Sequence, residues 1–285
     1  MYFSRFIILL ILFILGYLIG IPAEDTATGQ AGGSARYLEL ADSANFYISR
    51  ENWPKAEEKL IEALRLEPAN FSNSLLLANL GVVQTAKGEY EKALESLSLG
   101  LNIAPKSAIL LNNRAHTYLL TENVEAAKKD LDKSLQIDSL QEWTLKTRAF
   151  IYIQDQDKEN AKEVLNKLKK EFPNNPGIGS GFAAIAEMEG NLPEAIKNYR
   201  EALKADAYDD DSREALILLL IKSNDYTAAR KEIREGLDLN SENPMYYILR
   251  GYLHRLNFRL DEAQADKKIA ISKGLPSSLA SSFIP

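Results

Sequence analysis

The chain has 285 residues, of which 46% are hydrophobic and 26% charged, a composition that fits a folded protein and excludes a disordered one. Fifteen glycines and ten prolines are too few for a many-turned β-sandwich or a low-complexity linker protein, which leaves long helices as the economical reading. Cysteine is absent, so disulfide frameworks, cysteine zinc sites, thiol nucleophiles and a lipid-modified N-terminal cysteine are excluded; the net charge of −6 offers no global attraction to nucleic acid or to an anionic membrane.

The first predicted element is apolar. Phe6 to Ile21 is a run of 16 uncharged residues with Arg5 before it and Glu24 and Asp25 after it. Cation before and acids after predict an N-terminus that stays in the cytoplasm and export of everything from Glu24 onward. The run lies between the usual signal-peptide range and a comfortable span. Ile21-Pro22-Ala23 is a fair signal-peptidase site, and Ala27-Thr28-Gly29 a weaker one. Residues 1–23 are therefore read as either a cleaved signal peptide or a retained single transmembrane anchor. The expected location is periplasmic or extracytoplasmic, anchored to the cytoplasmic membrane if the segment is retained. Residues 24–36, rich in Thr, Gly, Ala and Ser, read as a flexible spacer.

From residue 37 the chain repeats itself every 34 residues. Ala93, Ala127, Ala161, Ala195, Ala229 and Ala263 form one column without a miss; Gly81, Ala115, Ala149, Ala183 and Gly251 form a second, with Ile217 the exception. Ala44 and Ala56 join these columns if Phe71 to Asn73 are an insertion. Within a row the apolar positions recur at three and four, as in Leu77, Leu80, Gly81, Gln84 and then Tyr90, Ala93, Leu94, Leu97, which predicts two amphipathic helices per row. Breaks between them fall at Lys87-Gly88-Glu89, Glu122-Asn123, Gly190-Asn191 and Ser223-Asn224-Asp225; Pro68, Pro105, Pro173 and Pro244 mark row ends. The small residues sit where the two helices of a hairpin cross and only a methyl or a hydrogen fits. A helical period of 34 predicts an all-α solenoid of helix-turn-helix units.

The segment from Leu80-Gly81 through Gly88-Glu89-Tyr90-Glu91-Lys92-Ala93-Leu94 to Pro105 resembles the tetratricopeptide repeat pattern, and Asn191 to Tyr199 is a second close match. The resemblance covers residues 37–277. It implies a right-handed superhelical solenoid of seven repeats, at 37–73, 74–107, 108–141, 142–175, 176–209, 210–243 and 244–277, with a tail at 278–285. Departures occur at Ile217, at His254 in the column of Tyr118 and Tyr152, and at Leu275 where a proline is usual.

The resemblance also implies a concave groove faced by positions 2, 5, 6, 9 and 12 of each row. Position 6 gives Asp42, Asn79, Asn113, Thr147, Gly181, Ala215 and Leu249. Asn79 and Asn113, adjacent rungs, resemble an asparagine ladder that holds an extended peptide by its backbone, since a side-chain amide bonds both N–H and C=O groups; the plainer reading is solvated asparagine. Position 9 adds Asn45 to the candidate groove. His116, Trp143, Lys146 and Phe150 are expected to form an aromatic and cationic anchor patch, against the alternative that Trp143 only packs on the preceding repeat. Glu187, Asp211 and Glu214 turn the later rows acidic. The clamp by which some members grip a chaperone's C-terminal carboxylate is excluded, because Ala41, Ile109 and Asn113 stand where its cations belong.

No enzyme is read from the sequence. His116 and His254 each have a repeat-column explanation, Gly177-Ile178-Gly179-Ser180-Gly181 follows no strand, and Asp206 and Asp209 to Asp211 lack calcium-loop spacing. No metal or other cofactor is expected. The glycine run reads instead as a hinge between rows four and five. The tail is too short to cap a solenoid, so Leu279, Phe283 and Ile284 are expected to form an exposed docking face, with homo-oligomerisation as one outcome. The function expected is a non-enzymatic scaffold of the bacterial cell envelope that binds a protein or extended peptide in its groove, contacts the membrane through its N-terminal segment if that is uncleaved, and binds no nucleic acid. The alternative is a self-assembling component or an accessory subunit of a membrane complex.

Overall fold

Seven helix pairs follow one another through residues 35–272 of the computed structural model, which describes residues 32–285. The expected signal segment and most of the expected spacer lie outside the described residues. The pairs are α1 (Ala35–Ile48) with α2 (Trp53–Leu66), α3 (Asn73–Ala86) with α4 (Tyr90–Ile103), α5 (Ala108–Leu120) with α6 (Val124–Ile137), and α7 (Glu142–Gln154) with α8 (Lys158–Glu171). They continue as α9 (Gly177–Met188) with α10 (Leu192–Ala205), α11 (Asp210–Lys222) with α12 (Tyr226–Leu239), and α13 (Pro244–Leu256) with α14 (Leu260–Ser272), before a short α15 (Ser277–Phe283). No strand occurs among the described residues, and no helix among them is long and apolar enough to cross a membrane.

One device closes every pair. Glu51, Gly88, Glu122, Gln156, Gly190, Asn224 and Phe258 all have left-handed backbone, with φ between 55° and 76°. The residue after each donates its N–H to the carbonyl five residues back, as from Asn123 to Tyr118 at 2.8 Å and from Asp225 to Leu220 at 2.9 Å. This bond satisfies a carbonyl that the helix end leaves open. In five turns the same residue then caps the next helix: Asn52, Asn123, Asp157, Asn191 and Asp225 accept an N–H three residues on through their side chains. Two consecutive residues thus end one helix and start the next.

The alanine column lies where the paired helices cross. Ala93, Ala127, Ala161, Ala195 and Ala229 are fully buried, and a Cβ on Gly81 would come within 2.4 Å of Leu97. Ile217, the departure from the small-residue column, is also fully buried, so row six accommodates the larger side chain in its core. The expected insertion at Phe71 falls mainly in the loop before α3, where Phe71 is 72% exposed. Pro244 corrects its sequence reading: it opens α13 and does not end a helix.

The chain divides within α7 into two compact units, one ending at Thr144 and one beginning at Leu145. In the first, Tyr37, Leu40, Leu60, Leu76 and Val83 form one cluster and Leu97, Leu101, Leu110 and Leu111 another. The buried Tyr37 hydroxyl donates to Asn73 at 2.9 Å and ties α1 to the start of α3. The end of the expected spacer is held as well. Ser34 donates its N–H to Glu67 at 2.7 Å, and Asn70 donates to the Gly32 carbonyl at 2.6 Å.

A hydrophobic cluster of the second unit runs from Ala183 to Ile284, and two expectations are corrected within this unit. The glycine run is not a hinge. All three glycines lie in α9, where a Cβ on Gly179 would sit 2.6 Å from the Ala202 backbone nitrogen and one on Gly181 would sit 2.7 Å from the Leu165 side chain. They permit close helix approach. Nor is the C-terminus an uncapped apolar face. α15 buries Ala280, and Ile284 just after it is buried too, with Leu279 and Phe283 packed on the same core. Arg255 donates to the Phe283 carbonyl at 2.6 Å and Lys267 to that of Ile284 at 2.7 Å, so the last carbonyls of the chain are satisfied from α13 and α14.

Candidate peptide-binding surface

Within the first unit, Asn79 meets Asn45, a groove candidate from a different column, and not Asn113, its expected partner in the ladder. Asn79 on α3 donates its side-chain amide to Asn45 on α1 at 3.0 Å, across two rows, in a solvent-accessible position. Each side chain keeps further donor and acceptor capacity, because an amide offers two N–H groups and two lone pairs. Asn113 lies half-buried on α5, and no hydrogen bond joins it to that pair among the described residues. Its neighbour Asn112 is committed internally, donating to Gln141 at 2.6 Å and accepting from Thr144 at 3.1 Å.

His116 and Trp143 are brought together edge to face, with ring centroids 6.2 Å apart and planes at 83°. Such pairs contribute about 0.5–1.5 kcal/mol beyond the area they bury. Burial lowers the His116 pKa to about 4, so the imidazole is neutral at neutral pH and acts as a ring and a hydrogen-bonding group, not as a cation. Lys146 and Phe150 lie on α7 beyond the division of the chain; Lys146 runs its aliphatic stem along Gly177.

The position-6 column is not uniformly a groove. Asp42 is exposed and Asn79, Asn113 and Ala215 are half-buried, whereas Thr147, Gly181 and Leu249 are buried. A fixed position number therefore does not mark an accessible groove in every row. Two of the acids expected to charge the later rows are engaged: Glu187 accepts from the Tyr199 hydroxyl at 2.7 Å and Glu214 from Asn243 at 2.9 Å.

Row one also holds an aromatic group that the sequence reading passed over. Phe46, beside Asn45, is 50% exposed, with the Arg50 guanidinium 4.3 Å from its ring centroid. The spacing of four between Phe46 and Arg50 was the available signal.

Tetratricopeptide repeat family models match residues 214–274 and 108–139. A tetratricopeptide repeat protein 36 homolog of Drosophila pseudoobscura pseudoobscura is 31% identical over 118 residues, 41% of this chain and 62% of that protein. The photosystem I assembly protein Ycf3 of Cyanophora paradoxa is 32% identical over 80 residues, 28% of this chain and 46% of that one. The chain thus covers less than two thirds of the length of either relative. The crystal structure of a tetratricopeptide repeat protein from Parabacteroides merdae superposes with a TM-score of 0.72 at 25% identity, over 88% of this chain and 98% of that one. The chain thus carries tetratricopeptide repeats at 108–139 and 214–274, and its helix pairs build a fold similar to that of a solved tetratricopeptide repeat protein.

Proposed function

We propose that the protein is a non-enzymatic scaffold of the bacterial cell envelope that holds an extended protein segment against the Asn45–Asn79 pair and the His116–Trp143 anchor of its first unit. The observation that carries this reading is the Asn79–Asn45 hydrogen bond. It places two solvent-accessible amides in a row, each with capacity left for a peptide backbone. A neutral aromatic pair on the same unit adds an apolar anchor of the kind that dominates interface energetics. The envelope location rests on the uncharged run Phe6 to Ile21 and its flanking charges.

A second reading is favoured by one similarity. Ycf3 is named for photosystem I assembly, which makes an accessory role in assembling a membrane complex the nearest alternative.

Crosslinking mass spectrometry on tagged protein in its native envelope tests the groove, with wild type compared to the Asn79→Ala, Asn113→Ala, Trp143→Ala variant. A partner crosslinked within residues 40–150 that vanishes in the variant is the expected result. Crosslinks that persist, or that fall between copies of the chain, reject the groove as the binding site.

A further inference from the structure

We infer that the cleft between α12 and α13 is a second recognition site, one that takes an acidic peptide segment, on the side of α13 away from the groove columns. A cavity of about 570 Å³ opens there, within the range of roughly 300–1,000 Å³ typical of ligand sites. Four arginines line it, Arg230 and Arg234 from α12, Arg250 from α13 and Arg259 from the following turn, with Asp238 the single carboxylate on its wall. Two are already neutralised: Arg250 forks onto Asp266 at 3.0 and 2.6 Å, and Arg259 onto Glu262 at 2.9 and 2.6 Å. Arg230 and Arg234, one turn apart and exposed, pair with no carboxylate among the described residues. Each offers a planar fork that matches a carboxylate.

The floor is apolar, made by Ile233, Leu237 and Leu253, so the site suits a ligand with both acidic and aliphatic groups. Phe258 follows the lining residue Asn257 and precedes the lining residue Arg259 in the chain. Phe258 is 91% exposed and held at φ 59°, a conformation that a bulky residue adopts at a cost of roughly 1–2 kcal/mol. In the equivalent turns glycine occupies this place twice; here the left-handed position carries an exposed ring, next in the chain to Arg259. The cleft lies between the second helix of row six and the first of row seven, and Tyr247, Arg250 and His254 occupy the face of α13 opposite Met245, Tyr252 and Arg255 of the groove columns. A chain of net charge −6 repels long polyanions, whereas a short acidic segment meets only the local field within a Debye length of about 8 Å. This favours a peptide over nucleic acid or an anionic bilayer.

Fluorescence anisotropy on the full chain tests it, with a short fluorescein-labelled peptide that carries glutamates on both sides of a leucine. The Arg230→Ala, Arg234→Ala variant is expected to weaken binding about tenfold or more, and Phe258→Ala roughly threefold. Arg230→Lys, Arg234→Lys keeps the charge but loses the fork and is expected to bind at an intermediate level. Asn79→Ala, Trp143→Ala is expected to leave this binding unchanged, which separates failure of this site from failure of the groove. The site is overturned if the arginine variants bind like wild type while melting at the wild-type temperature, or if a lysine-for-glutamate peptide binds equally well. Displacement of the peptide by RNA or by phosphatidylglycerol vesicles at lower concentration than by unlabelled peptide overturns it too.

Discussion

Arg114 donates through Nε and Nη2 to the two carboxylate oxygens of Asp130, at 2.7 and 2.9 Å, and so joins the two helices of the third pair by a forked ion pair. Asp130 is 4% exposed at its side chain, and the Arg114 fork also reaches Ser98 Oγ at 3.1 Å. Four rows later Arg250 and Asp266 repeat the arrangement at the same separation of 16 residues. The pair raises the Arg114 pKa by direct hydrogen bonding.

Removing one partner leaves a buried charge uncompensated. Asp130→Ala is expected to destabilise the protein by about 3 kcal/mol. The double change Arg114→Met, Asp130→Leu is expected to cost much less, since it removes both charges and keeps the packed volume. Urea denaturation of the three proteins side by side checks this. Equal losses in the single and double variants would show that packing, not charge, holds this hairpin.

His116 predicts a direction for acid sensitivity. Its folded pKa is about 4 against an ordinary 6.5, so the unfolded chain takes up a proton in this window that the folded chain does not. Its contribution is therefore constant above about pH 6.5 and is lost as pH falls towards 4, at no more than about 1.4 kcal/mol per pH unit. His116→Gln is expected to flatten the dependence of the urea midpoint on pH across that window. The chain has only two histidines, so the NMR signal that disappears in this variant identifies His116 and its titration directly.

Gly179→Ala sets two effects against each other. Alanine improves the helix by about 1 kcal/mol, but the new methyl would stand 2.6 Å from the Ala202 nitrogen and 2.8 Å from its Cα, where backbone has to move. Overpacking of this kind costs roughly 1–3 kcal/mol. The net expectation is a lower melting temperature, read by circular dichroism, whereas a hinge at this position would tolerate alanine or gain from it.

Gln156→Gly is expected to stabilise. Gln156 has φ 59° with its side chain exposed, so glycine relieves left-handed strain of about 1 kcal/mol and loses little contact. The matching change at Asp157, which accepts from the Asn160 N–H at 3.2 Å, is expected to act in the opposite direction by about 1 kcal/mol. Thermal melts of Gln156→Gly and Asp157→Ala check the two signs.

The parts of the fold legible in the sequence are those that steric exclusion writes directly. A crossing that admits only a methyl leaves alanine at Ala93, Ala127 and every equivalent, and a 34-residue period follows from that. The left-handed turn residue was half legible: Gly88, Gly190 and Asn224 advertise it, but Glu51, Glu122, Gln156 and Phe258 carry no such signal, because there the neighbouring hydrogen bonds impose the backbone conformation. α15 escaped because seven residues rich in serine show no amphipathic period; the apolar residues that looked like an exposed face, Ile284 above all, are its buried side. Close approach and flexibility both call for glycine, so the run at Gly177 was ambiguous until Ala202 stood beside it. Asn45 and Asn79 stand at positions 9 and 6 of their rows, because the row numbering places three inserted residues between them, so their meeting was not legible from the columns; the Arg230 and Arg234 cleft belongs to none of the columns singled out.

In all seven turns the closing hydrogen bonds run from main chain to main chain, and the side chain of the left-handed residue takes no part in them. Glutamate, glycine, glutamine, asparagine and phenylalanine all occupy this one place within a single molecule. These turns are writable sites: a charge, a ring, a label or a short inserted loop placed there alters what the protein displays without editing the core. Because they recur at a fixed interval, seven such changes can be made independently, and one of the seven already presents an aromatic ring to solvent.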